Sequence, residues 1–127
     1  MCLQTIYKKK PNPIGKGYKI FRRIRGKLYP MYVRSRGDYP LRRWIKNSDQ
    51  KIRHTAYCSK ISGYQSGFHI YANKKNAEGF FDWLGDKESY CMKRVEYRGA
   101  HTSGVVWEWG SGLNAKTIVA DEMRIQS

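Results

Sequence analysis

The sequence lacks any apolar run long enough to enter a membrane. Its longest stretches, such as Gly104-Val105-Val106-Trp107, reach only a few residues, where a spanning helix needs about 20. The three cysteines, Cys2, Cys58 and Cys91, are odd in number and widely spaced, which excludes a closed disulfide framework and reads as reduced thiols. With His54, His69 and His101 they form no C-x-x-C or H-x-x-x-H spacing, so no metal site is expected. Gly15-Lys16-Gly17 lacks the spacing and following helix of a phosphate loop, and neither Cys58 nor Cys91 sits in the local signature of a catalytic nucleophile. Glu88, Glu96, Glu108, Asp121 and Glu122 are scattered along strand-like runs rather than set in a pattern for acid–base work. Repeats, low-complexity tracts, and helix-turn-helix, zinc-finger and ribonucleoprotein motifs are all missing. No cofactor is called for.

Acidic residues are scarcest in the first half. Residues 1–60 hold 17 Lys and Arg against only Asp38 and Asp49, whereas residues 61–127 hold 8 of each sign, so the whole formal charge of +15 lies in the first half. Such an excess repels itself in the folded state, and a merely solubilising surface intersperses both signs. A polyanionic partner is the natural compensation. At 127 residues the chain is expected to be a single domain, 1–127, with one core and a strongly basic N-terminal half, 1–60.

The pattern along the chain predicts an α+β fold, a compact and mostly antiparallel sheet with one main helix over about residues 74–84. Residues 1–17 read as a short strand or arm followed by a loop rich in breakers. Tyr18 to Arg25 alternates as a strand, with Tyr18, Ile20, Arg22 and Ile24 on one face and Lys19, Phe21, Arg23 and Arg25 on the other. Gly26-Lys27 is a plausible tight turn into Leu28–Val33, where Pro30 argues for a sheet edge. Residues 34–64 are the least legible; Tyr39–Ile45 fits either a strand or a helical turn. Gly67 to Tyr71 reads as a strand with Phe68 and Ile70 facing a core and His69 and Tyr71 facing away. Asn73 is a good N-cap for the helix, Ala77, Phe80, Phe81 and Leu84 form its apolar side, and Gly85 stops it. Three strands follow, Tyr90–Arg98, Val105–Trp109 and Lys116–Ile125, separated by turns at Gly99 and Gly104 and at Gly110 and Gly112.

Two constellations carry chemistry. The first is basic: Lys8, Lys9, Lys10, Lys19, Arg22, Arg23, Arg25, Lys27, Arg34, Arg36, Arg42 and Arg43, interleaved with Tyr18, Phe21, Tyr29, Tyr32, Tyr39 and Trp44. Cations neutralise phosphates, rings stack on bases, and the preference for arginine over lysine suits bidentate phosphate contacts. The bland alternative is that the rings form core and the charges face solvent. The second is the pair His69 and Tyr71, which reads either as a pocket contacting a base or phosphate or as a histidine satisfied by backbone.

Met1-Cys2-Leu3, Gly26-Lys27-Leu28-Tyr29, Gly67-Phe68-His69-Ile70-Tyr71 running into a short helix, and Ala120-Asp121-Glu122-Met123-Arg124-Ile125 together resemble small proteins of bacteriophages and related mobile elements. The resemblance implies the cytoplasm of an infected host and an inhibitor of host defence, anti-CRISPR-like in its role. Its partner would be a nuclease complex with its nucleic acid, or a nucleotide second messenger; the basicity argues against mimicry of DNA. The opening residues lack the charged-then-apolar order of a secretory signal, which also favours a cytoplasmic location. The expected function is thus a non-enzymatic binding protein whose basic half engages nucleic acid or a nucleic-acid-loaded host defence complex. Its rivals are a sponge for a nucleotide messenger, and a small nuclease or nucleotide-modifying enzyme using His69, Tyr71 and a carboxylate. The sequence leaves the oligomeric state open.

Overall fold

A computed structural model describes residues 3, 5–31, 38–46, 55–58, 61–65, 67–108 and 113–126. Within them the chain forms β1 (Thr5–Ile6), β2 (Gly15–Ile24), β3 (Lys27–Tyr29), β4 (Trp44–Lys46), β5 (Thr55–Cys58), β6 (Ile61–Gln65), β7 (Phe68–Tyr71), α1 (Lys74–Leu84), β8 (Tyr90–Glu108) and β9 (Leu113–Ile125). β5 and β6 form a two-stranded sheet of their own; the other seven strands share one sheet, and every strand pairing is antiparallel. The class is α+β, as expected, with one helix among the described residues.

The frame is the pairing of β8 with β9, which runs from Val95↔Ile125 to Glu108↔Leu113. β2 and β1 attach to β8, at Tyr90–Tyr97 and at Gly104–Val105, while β7 and β4 attach to β9. β2 also meets β7 at Tyr18↔Tyr71, so the pairings β8–β2–β7–β9–β8 close into a ring.

β8 corrects the sequence expectation of two strands separated by turns. It is one strand of 19 residues. Gly99 takes the left-handed conformation (φ 68°) just before the register shifts between Ala100 and Thr102, so it serves a bulge. Gly104 lies directly under the backbone of Thr5 and Ile6, where any side chain would collide with β1. Both glycines are requirements of pairing rather than chain reversals.

Alternation divides the core into two clusters. Phe21, Phe68, Ile70, Cys91, Val95, Tyr97, Ile118, Met123 and Ile125 meet on one side, with Tyr39 edge-on to both Phe21 and Phe68 at centroid distances of 5.8 and 6.2 Å. Ile20, Tyr71 and Ala115 meet Ala77 and Phe80 of α1 on the other. Two expectations change as a result. Phe21 and Tyr39, two of the rings interleaved with the basic residues, are core residues and unavailable for stacking on a ligand. β7, expected to bury one face, buries all four residues, because it lies between β2 and β9 with the helix cluster over Tyr71.

α1 matches its sequence signals. The Asn73 side chain accepts a hydrogen bond from the Asn76 amide at 3.0 Å, and Gly85 closes the helix in the left-handed region (φ 75°). Phe81 and Leu84 pack partly against the second cluster, while Trp83 is half exposed and stacks on Phe80. Among the described residues no helix is long and apolar enough to cross a membrane.

β2 and β3 form the expected hairpin, with the turn one residue earlier than expected. Ile24 pairs with Lys27, leaving Arg25 (φ 51°) and Gly26 (φ 78°) as the two turn residues. Both have positive φ, as the mirror turns of tight hairpins require, and Asn-Gly is the preferred pair there. β3 ends before Pro30, consistent with the edge reading. Arginine in this conformation costs about 1 kcal/mol that asparagine largely avoids. Arg25→Asn should therefore raise the thermal midpoint by about 4 °C; a midpoint equal to or below that of the wild type would contradict the strain at this turn.

Candidate functional site

The register places a charged ladder on one face of the sheet. Lys16, Glu96, Arg124 and Trp44 lie in one row across β2, β8, β9 and β4, and Arg98, Glu122 and Lys46 lie in the next. Arg98 grips Glu122 with two bonds, Nε to Oε2 at 2.8 Å and Nη2 to Oε1 at 3.1 Å, and Arg124 Nη2 donates to Glu96 Oε2 at 2.7 Å. Gln126 also donates to Glu96. These donors hold the carboxyls of Glu96 and Glu122 below their ordinary pKa. The two guanidiniums cover the half-buried Trp44 ring at 4.1 and 4.9 Å from its centroid. Trp44 is thus already engaged by cations that Glu96 and Glu122 hold in place.

Beside this ladder are two open clefts that share Gln126. One, of about 270 Å³, is lined by Arg42, Glu96, Arg124, Ile125 and Gln126. The other, of about 400 Å³, is lined by Tyr18, Lys74, Met92, Lys93, Arg94 and Gln126. The larger cleft opens where β8 outruns β9: Val95↔Ile125 is the last paired position, and the Gln126 amide makes one further bond to the Arg94 carbonyl at 3.0 Å. Arg94 leans on Tyr18, 6.0 Å from the ring centroid and 3.5 Å from the hydroxyl.

No family model, curated protein or solved structure matches the chain.

The basic residues singled out from sequence are distributed as follows. Lys8, Lys9 and Lys10 are exposed after β1; Arg23, Arg25 and Lys27 are exposed around the β2–β3 turn, with Arg22 half-buried behind them; Arg43 is exposed before β4. The exposed Ile24 stands among the hairpin cations. Arg42 lines the smaller cleft. Lys19 turns inward and donates from Nζ to the His69 carbonyl at 2.7 Å. Arg34 and Arg36, like Tyr32, lie outside the described residues.

Pairing separates the two halves more sharply than counting does. The ion pairs of Lys and Arg among the described residues all fall between Lys74 and Arg124. Within the same set, Lys8, Lys9, Lys10, Arg22, Arg23, Arg25, Lys27 and Arg43 enter none. Lys74, Lys93, Arg94 and Arg124, none of them singled out from sequence, line the clefts. The signal that conceals them is the zero net charge of residues 61–127, a sum that does not show which cations are paired: Arg124 and Lys74 have Glu96 and Glu78, whereas Lys93 and Arg94 have no carboxylate among the described residues.

His69 and Tyr71 line neither cleft. Tyr71 is fully buried and His69 is 8% exposed, with its Nδ1 3.1 Å from the Gly67 carbonyl. Burial above all, and then the nearby charge of Lys19, pushes His69 down to about 3. Its imidazole is neutral in the folded protein at physiological pH. In the unfolded chain it takes a proton below about 6.5, so protonation favours unfolding, and stability is lost as pH falls from about 6.5 toward 3. Between pH 6.5 and 4.5, above the ordinary range of the carboxylates, unfolding free energy should fall by up to about 1.4 kcal/mol per pH unit. Denaturant unfolding of the wild type and of His69→Gln checks this. The variant should be flatter across that window, and parallel curves would contradict the assignment.

Proposed function

We propose that this protein is a non-enzymatic binder of nucleic acid, engaging the phosphate backbone through the exposed cations of its first half. One observation carries the reading: Lys8–Lys10, Arg22, Arg23, Arg25, Lys27 and Arg43 enter no ion pair among the described residues, while carboxylates of the second half are paired with cations of that half. A surface left in this state has its counter-charge supplied from outside, and release of small ions from a polyanion drives such binding.

The spacing of the cations favours a polymer over a small nucleotide. Tyr7 bonds to Ser103, the Pro13 carbonyl accepts from Ala100 and Arg23 bonds to Ser89, so Lys8–Lys10 lie beside the middle of β8 and the hairpin tip lies beyond its start, roughly 30 Å or more apart at the usual rise per residue. A chain of phosphates reaches both groups; a mononucleotide does not. A host-defence complex loaded with nucleic acid, the partner class implied by the resemblance to phage proteins, presents such a chain. The arginines of the hairpin add bidentate contacts that lysines do not make.

The test is a matched charge reversal. Arg23→Glu with Lys27→Glu should lower affinity for labelled nucleic acid, duplex and single-stranded, by more than about tenfold at moderate salt, since it removes two phosphate contacts and adds repulsion. Lys75→Glu with Lys116→Glu, the same change of charge on exposed residues of the second half, should cost far less. Equal losses would overturn the reading, and turnover of nucleic acid by the wild type in excess over protein would overturn its non-enzymatic part.

A further inference from the structure

We infer that the cleft between β2, β8 and the start of α1 is a subsite for one nucleotide unit, a phosphate together with a planar base. The inference deepens the nucleic-acid reading and rests on it for the source of that unit, but its residues are different ones. They lie mostly in the half of the chain whose charges cancel.

Three features converge there. The cleft's volume of about 400 Å³ falls in the range of small-ligand sites. Its lining joins Lys74, Lys93 and Arg94 to Tyr18 and Met92 without a carboxylate. Tyr18 and Met92 pack against the cluster under α1, so the apolar floor is held by the core rather than by a loop. Cations on the wall and a ring on the floor are the combination that grips a backbone phosphate while a base stacks.

Pairing adds an independent observation. Arg94 forms no ion pair among the described residues, and Lys74 has only Glu78, 3.6 Å away with both side chains well exposed. Lys93 stands opposite Lys19 in the β2–β8 register, on the face of Phe21 and Cys91 and away from that of Tyr18, Met92 and Arg94, so the cations that a phosphate in the cleft would meet are Arg94 and Lys74.

The same unit could arrive free or within a strand, and two probes distinguish these sources: dye-labelled decathymidylate and adenosine monophosphate. Lys74→Ala and Arg94→Ala should each weaken decathymidylate binding about tenfold, whereas Lys75→Ala and Lys116→Ala should change it by less than about twofold. Tyr18→Leu, which keeps an apolar floor, should weaken decathymidylate but leave competition by inorganic polyphosphate unchanged; equal loss for both would overturn the stacking role. Circular dichroism and thermal melting verify that each variant is folded. If decathymidylate binds the wild type, Lys74→Ala and Arg94→Ala equally, the subsite is overturned while the nucleic-acid reading stands. If adenosine monophosphate alone binds, and these two variants weaken it, the subsite holds with a free nucleotide as occupant and the polymer reading falls. If neither probe binds the wild type, both fall.

Discussion

The pairing of β8 with β9 is the constraint on which the other elements depend. Its twelve registered positions, from Val95↔Ile125 to Glu108↔Leu113, leave one edge of each strand free, and those edges receive β1 and β2 on β8 and β7 and β4 on β9. The contact of Tyr18 with Tyr71 then closes the ring. Because the two strands are offset at one end, β8 continues through Lys93 and Arg94 after β9 has stopped. The larger cleft is a product of that offset, and so its position follows from register rather than from a loop.

Electrostatics follows from the same frame. Register places Glu96 beside Arg124 and Glu122 beside Arg98, and the resulting bonds secure four charges and the Trp44 ring in one patch. Partly exposed pairs of this kind contribute modestly to stability. Their larger consequence is allocation: carboxylates bound in the patch do not neutralise cations elsewhere. Arg25 shows the complementary tendency at the hairpin tip, where a cation occupies a left-handed turn position that asparagine would fill with less strain. Strain thus gathers at a surface proposed to meet phosphate, the pattern expected where binding constrains residue choice.

Local rules made part of this legible from sequence. Asn73, Gly85 and the spacing of Ala77, Phe80 and Leu84 specify α1 because capping and periodicity act within one element. Gly26 marks the hairpin for the same reason, although the turn falls at Arg25–Gly26. What was not legible depends on partners distant in sequence. Gly99 and Gly104 resemble turns until β9 and β1 are seen beside them, and Phe21 resembles a surface ring until Tyr39 packs on it. The basic first half was visible by composition, but Lys74, Lys93 and Arg94 were hidden by a sum of charges that averages over pairing. His69 and Tyr71 looked like an open face because the strand alternates, and only the neighbouring layers reveal both sides as buried.

The central claim is that phosphate neutralisation by unpaired cations drives the interaction, and salt dependence measures it most directly. With about five phosphates contacted, the logarithm of the association constant for nucleic acid should fall linearly with the logarithm of salt concentration, at a slope of about −3.5 on a single strand to −4.5 on a duplex. A slope near zero would contradict the account.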